Sequence, residues 1–158
     1  MQGGPLMHIV AAKAVALGEA LHPRFKVYQH QIVLNAQALA KTLLDGGMDL
    51  VSGGTDNHLF LVDVKKSKGI TGRDAAAALD AAGIIVNKNT IPFDTESPFK
   101  TSGIRVGAAS ATTRGMKEPE MVKIGTWIAD VLDDITNTEV QARVKKEAAE
   151  LVANFPVP

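Results

Sequence analysis

Thr101-Ser102-Gly103-Ile104-Arg105-Val106-Gly107-Ala108 is the stretch on which the fold turns. Ile104 and Val106 alternate with Gly103, Arg105 and Gly107, the period of two that marks a β-strand with one apolar face. A strand from Gly103 to Ala108, with helical patterns on both sides of it in the chain, makes this an α+β sequence and not a helical bundle. Gly103, Arg105 and Gly107 share the face opposite Ile104 and Val106. Two neighbours without side chains are expected to leave open space beside the guanidinium, the group whose planar fork best holds a carboxylate. Arg105 thus reads as a substrate-carboxylate anchor. Spacing alone leaves a second reading standing, a surface or ion-paired arginine beside turn glycines.

Working towards the N-terminus, Asn87 to Ser102 is polar and broken by Pro92 and Pro98, which predicts a loop. The amides of Asn87 and Asn89 there offer donors and acceptors to a heterocycle, or simply form a turn. Ile84-Ile85-Val86 reads as a strand. Thr71 with Asp74 three residues on resembles a capping box that opens an alanine-rich helix closed by Gly83. Leu50-Val51 and Leu59 to Val64 read as strands joined by the turn-forming run Ser52-Gly53-Gly54-Thr55-Asp56. Before them, Phe25, Tyr28, Ile32, Ala36, Leu39 and Leu43 recur in steps of three and four, an amphipathic helix opened by Pro23 and stopped by Gly46-Gly47. From Leu6 to Leu21 a first helix is apolar almost all round, with His8, Lys13 and Glu19 as its polar side chains. Such a helix needs burial on most sides, which points to a partner surface beyond this chain.

On the C-terminal side, Met121, Ile124, Ile128, Val131 and Ile135 form one helical stripe, and Val140, Val144, Ala148 and Leu151 another, begun at Asn137-Thr138. Glu139, Arg143 and Glu147 stand at helix-supporting spacing on the exposed face. Asp130, Asp133 and Asp134 read as a solvated helix end. The expected architecture is a small sheet covered by helices and preceded by long helices. Residues 1–45 form a helical segment and residues 46–158 the α+β domain.

The chain has 158 residues, enough for one domain with a sizeable core. Lys plus Arg and Asp plus Glu both total 17, so net charge is zero and no general nucleic-acid binder is expected. The absence of cysteine excludes disulfides, thiolate metal sites and a cysteine nucleophile. No apolar run approaches a membrane span and the start does not read as a secretory signal, so a cytoplasmic setting is expected. His8, His22, His30 and His58 stand at no metal-ligand spacing, so no metal is expected, and Gly-x-Ser-x-Gly is absent. His58, at a strand entrance, has a local hydrogen-bonding role or faces a site. Gly3 and Gly4 before the first helix offer bare amides to a phosphate, or form a plain turn.

Taken together, several strings resemble the serine hydroxymethyltransferases of bacteria: Gln2-Gly3-Gly4-Pro5-Leu6-Met7-His8, Ser52-Gly53-Gly54-Thr55-Asp56-Asn57-His58, Val86-Asn87-Lys88-Asn89, Ser97-Pro98-Phe99 with Thr101 to Gly107, and Thr112-Thr113-Arg114-Gly115 with Glu118. The resemblance runs over essentially the whole chain, in the family's order. It implies the C-terminal small domain of a fold-type I pyridoxal-phosphate enzyme that interconverts serine plus tetrahydrofolate with glycine plus methylene-tetrahydrofolate. It further implies that Arg105 binds the amino-acid carboxylate, that Asn89 and Ser97 contact folate, and that Gly3 or Gly4 meets the cofactor phosphate of the neighbouring subunit in a homo-oligomer. The family's Schiff-base lysine, the aspartate on the pyridine nitrogen, the ring-stacking histidine and the catalytic glutamate are all expected upstream of Gln2. No lysine here has the required context, so the chain alone is expected to be inactive. Two alternatives stand beside this reading. One is a non-catalytic small-domain protein that binds a full-length enzyme, folate or an amino acid; the other is a split enzyme with its large domain on a separate chain.

Overall fold

Burial sorts the apolar stripes into one core. The computed structural model describes residues 3–157, so Gln2 of the first family-like string lies outside the described residues. Helix α1 (Met7–Leu21) leads through His22, whose Nδ1 accepts from the Arg24 amide at 3.2 Å, into α2 (Pro23–Asp45). Strands β1 (Asp49–Leu50) and β2 (Leu59–Asp63) follow, then α3 (Val64–Lys68) and α4 (Gly72–Ala81). Next come β3 (Asn87–Asn89), β4 (Gly103–Gly107), α5 (Ala109–Thr113), α6 (Glu118–Asp133) and α7 (Thr138–Ala153). Among the described residues no helix is long and apolar enough to cross a membrane.

The four strands form one antiparallel sheet in the order β1-β2-β4-β3. Phe60, Val62, Ile104 and Val106 line its buried face, as the period of two predicts. Helices α2 and α4 lie against the sheet, α6 packs on both, and α7 closes on α4 and α6. Ala36, Leu39 and Leu43 of α2 meet Met121, Ile128 and Val131 of α6 in the core. The close approach of these two helices needs Gly125, since a Cβ there would come within 2.8 Å of the Thr42 side chain. The core thus takes in the second half of α2, on the N-terminal side of the boundary expected at residue 45.

The one buried side-chain amide in this core, Asn35, is fully satisfied. Its Nδ2 donates to Thr112 Oγ1 at 2.8 Å and to the Met116 carbonyl at 2.9 Å, and its Oδ1 accepts from Gln31 at 3.0 Å. Gln31 also reaches Glu118 Oε2 at 2.9 Å, so the network joins α2 to α5 and to the start of α6. Buried polar groups are tolerated when every partner is present.

Three expectations need correction. The third strand is Asn87–Asn89, three residues later than Ile84-Ile85-Val86, and the expected loop therefore begins only at Thr90. Ile84 and Val86 pack partly on the core while Ile85 is exposed, so the segment after Gly83 runs past α4 before it pairs with β4. Strand pairing at β1 stops at Leu50, because Val51 enters a tight turn in which Ser52 and Gly53 both have positive φ. Val64 starts α3 instead of ending β2, since the Asp63 carboxylate caps the turn by accepting from the Lys66 amide at 2.8 Å. Near the end of α6 Asp133 and Asp134 are exposed and Asp130 is half-buried, and two of the three are paired: Asp130 with Arg143 at 2.6 Å and Asp133 with Lys68 at 2.5 Å.

Candidate functional site

The sheet has one covered face and one open face, and Arg105 stands in the middle of the open one. Its register partners are Leu61 on β2 and Asn87 on β3. Nη2 donates to Asn87 Oδ1 at 3.2 Å. Among the described residues no carboxylate pairs with Arg105, although Asp49, Asp63, Asp130 and Asp133 all stand within ion pairs or turns elsewhere. An arginine that borders a cavity with only a neutral partner keeps most of its donors for an incoming anion. The ion-paired reading of Arg105 is thereby removed for the described part of the chain.

The space beside the guanidinium is one-sided. At Gly107 an added Cβ would meet only the His58 carbonyl at 3.4 Å and Leu59 Cβ at 3.5 Å, ordinary contact distances. At Gly103 it would come within 2.6 Å of Ile91 Cγ2 and 2.9 Å of the Val62 carbonyl. Gly103 is therefore a packing glycine, and the expectation of open space on both sides is corrected: Ile91 closes the Gly103 side. A cavity of about 520 Å³ opens on the Gly107 side, bordered by Arg105, Asn87, His58 and Ser110. A larger cavity of about 650 Å³ lies under the Val51–Asn57 turn and shares only Leu59 with the first. It offers no cation to an anionic ligand, so the Arg105 cavity is the better candidate.

Asn89 lies two residues beyond Asn87 on the same sheet face, opposite Gly103, and its Nδ2 donates to the Thr90 carbonyl at 2.7 Å. Ser97 lies in the following loop with its side chain exposed, while its carbonyl accepts from the amides of Lys100 and Thr101 at 2.9 Å each. Neither borders the Arg105 cavity; both lie beyond the Gly103 end of β4. Gly3 and Gly4 precede α1 with no atom within 4 Å of an added Cβ, and they border neither cavity. The His58 carbonyl accepts from the Ala108 amide at 3.0 Å, a local role, and His58 also borders the Arg105 cavity.

Sequence reasoning missed the residue that organises the loop. Asp94 Oδ1 accepts from the Glu96 amide at 2.8 Å and Ser102 Oγ at 2.6 Å, and Oδ2 accepts from the amides of Ser102 at 3.0 Å and Ile91 at 3.2 Å. Partial burial pushes this carboxyl up, but the bonds from Ser102, Glu96 and Ile91 outweigh it and hold the group at about 2. The available signal was an aspartate two residues after Pro92 in a polar loop, a residue that readily bonds amides two positions on.

With this geometry in place, similarity to known proteins becomes informative. The family model described as serine hydroxymethyltransferase matches residues 1–128. The serine hydroxymethyltransferase of Shewanella woodyi is 60% identical over 156 residues, covering 99% of this chain and 37% of the relative. That of Nitrosococcus oceani is 57% identical over 157 residues, and serine hydroxymethyltransferase 1 of Pseudomonas putida 55% over 156, with the same shares covered. This α+β chain, whose Arg105 has no carboxylate partner among the described residues, belongs on these matches to the serine hydroxymethyltransferase family. The chain spans 37% of the length of the curated relatives it matches.

Proposed function

We propose that this chain is the C-terminal portion of a serine hydroxymethyltransferase and supplies recognition groups to it. The parent enzyme would interconvert serine plus tetrahydrofolate with glycine plus methylene-tetrahydrofolate, as a homo-oligomer in the cytoplasm. The single observation that supports this most is Arg105, with no carboxylate partner among the described residues and standing over an open cavity, in a chain of this family. Its fork would take the serine carboxylate, orienting the amino acid, while Asn87 holds one edge of the guanidinium. Asn89 and Ser97 would contact the folate. Residues 1–45 would pack on the cofactor domain or a partner subunit through α1 and the exposed side of α2, whose other side joins the core of the small domain formed by residues 46–158.

Pyridoxal phosphate fits this chain only in part. An added Cβ at Gly3 or Gly4 would meet no atom within 4 Å, and the helix that follows has no side-chain cap at Leu6, so a phosphate oxygen of the neighbouring subunit's cofactor could approach the backbone there. No lysine borders the Arg105 cavity, so the covalent link would come from the remainder of the enzyme. When bound, the cofactor supplies an electron sink. The test is complementation. The chain alone, given pyridoxal phosphate, serine and tetrahydrofolate, is expected to give no turnover, and activity is expected once the remaining portion of the enzyme is added. Turnover by the chain alone contradicts the assignment of the covalent link elsewhere. Tight binding to a full-length enzyme without any gain of activity favours the non-catalytic alternative.

A further inference from the structure

We infer that Asp94 is a positioning residue that locks the folate-contacting loop onto the strand of the carboxylate arginine. This inference rests on the proposed roles of Asn89, Ser97 and Arg105. The loop from Thr90 to Ser102 joins β3 to β4, and its course is set by few groups. Asp94 is the only side chain in it that bonds both ends: Ile91, two residues past Asn89, and Ser102, the residue before Gly103 of β4. Four donors converge on its two oxygens, two on each.

The rest of the loop hangs on this clamp. Ile91, whose amide Asp94 holds, is the residue that covers Gly103 beside Arg105. Glu96, whose amide Asp94 also holds, pairs with Lys65 at 2.8 Å and leads directly into Ser97. From the other side the amides of Gly72 and Arg73 at the start of α4 donate to the carbonyls of Thr101 and Lys100 at 2.9 Å each. The loop also holds Phe93 and Thr101 at φ of 59°, a left-handed conformation that side chains resist. Phe93 is fully exposed, so its own contacts do not stabilise that conformation. Asp94 is its neighbour in the chain, and its four bonds fix the backbone on either side.

An amide cannot replace this carboxylate. Asparagine would present one oxygen and one NH2, so at least one backbone N–H of the four donors would face another donor. The test is Asp94→Asn in the complete enzyme with pyridoxal phosphate bound, read by steady-state kinetics for both substrates. The KM for tetrahydrofolate is expected to rise roughly tenfold, with the KM for serine held within about twofold, because the loop moves and the Arg105 strand stays paired to β2. Ser102→Ala removes one of the four donors and is expected to move the same constant in the same direction by less. A merely structural role predicts something else, a loss of active enzyme with both KM values unchanged, and that result overturns the inference. So does an equal rise in both constants.

Two further variants separate this inference from the reading beneath it. If Asn89→Ala raises the folate KM and Asp94→Asn does not, the folate contact stands and the positioning role fails. If neither raises it, the folate assignment fails and the positioning role fails with it. Arg105→Ala probes the serine half alone and leaves the Asp94 result to be judged on the folate constant.

Discussion

Helices α1 and α2 are adjacent, both rich in apolar residues, and opposite in what they do with them. α2 buries six residues between Ile32 and Leu43, whereas α1 buries none. Leu17 of α1 is 68% exposed and Met7 is 69% exposed, while Leu43 of α2 is wholly buried. The difference lies in patterning. The α2 stripe recurs in steps of three and four and leaves Lys26, Gln29, Gln37 and Lys41 outside it, so one side of the helix matches one surface, α6. α1 has no such division, and nothing in the described residues covers it. A chain can therefore satisfy its own core and still present a helix composed for burial. The curated relatives are much longer than this chain, and under the proposed function α1 would be covered by the remainder of the enzyme or a second subunit.

Substitutions can break or sharpen this contrast. Leu43→Ala in α2 is expected to destabilise the chain by about 2–5 kcal/mol, as a large-to-small change in a closed core does. Leu17→Ala in α1 is expected to change stability by less than about 0.5 kcal/mol, as at an exposed site. Urea unfolding of the two variants measures both, and equal losses would mean that α1 is covered in the isolated chain. Asn35→Ala tests the polar counterpart within α2. It removes the only partner that joins Gln31, Thr112 and the Met116 carbonyl, and about 1–3 kcal/mol is expected to be lost through unpaired buried groups. No loss would mean that water takes the place of the amide.

Much of the fold was legible because period and punctuation agreed. The α2 stripe, the Thr71 and Asn137 caps, the β4 alternation and the α6 stripe from Met121 to Val131 appear where the residues predict, while Ile135 falls past the end of α6. What the sequence concealed was pairing. Ile84-Ile85-Val86 has strong strand propensity, yet the ladder forms at Asn87–Asn89, because backbone pairing with Gly103–Arg105 decides the strand and side-chain preference does not. Gly103 and Gly107 look equivalent on paper, and only the fold distinguishes the one packed by Ile91 from the one beside a cavity. At the site, Arg105 could be singled out because its strand face is written in alternation. Asp94 could not, because its four donors come from backbone amides and a serine whose convergence depends on the folded loop.

The central claim is that the open face of this sheet holds the amino-acid carboxylate through Arg105. Its most direct test is the affinity for serine of the complete enzyme with Arg105→Ala, compared with Arg105→Lys. Loss of a charge-assisted fork predicts about a hundredfold weaker serine binding for the alanine variant, with only partial recovery by lysine, whose ammonium lacks the planar pair of donors. Serine binding unchanged in Arg105→Ala would contradict the account.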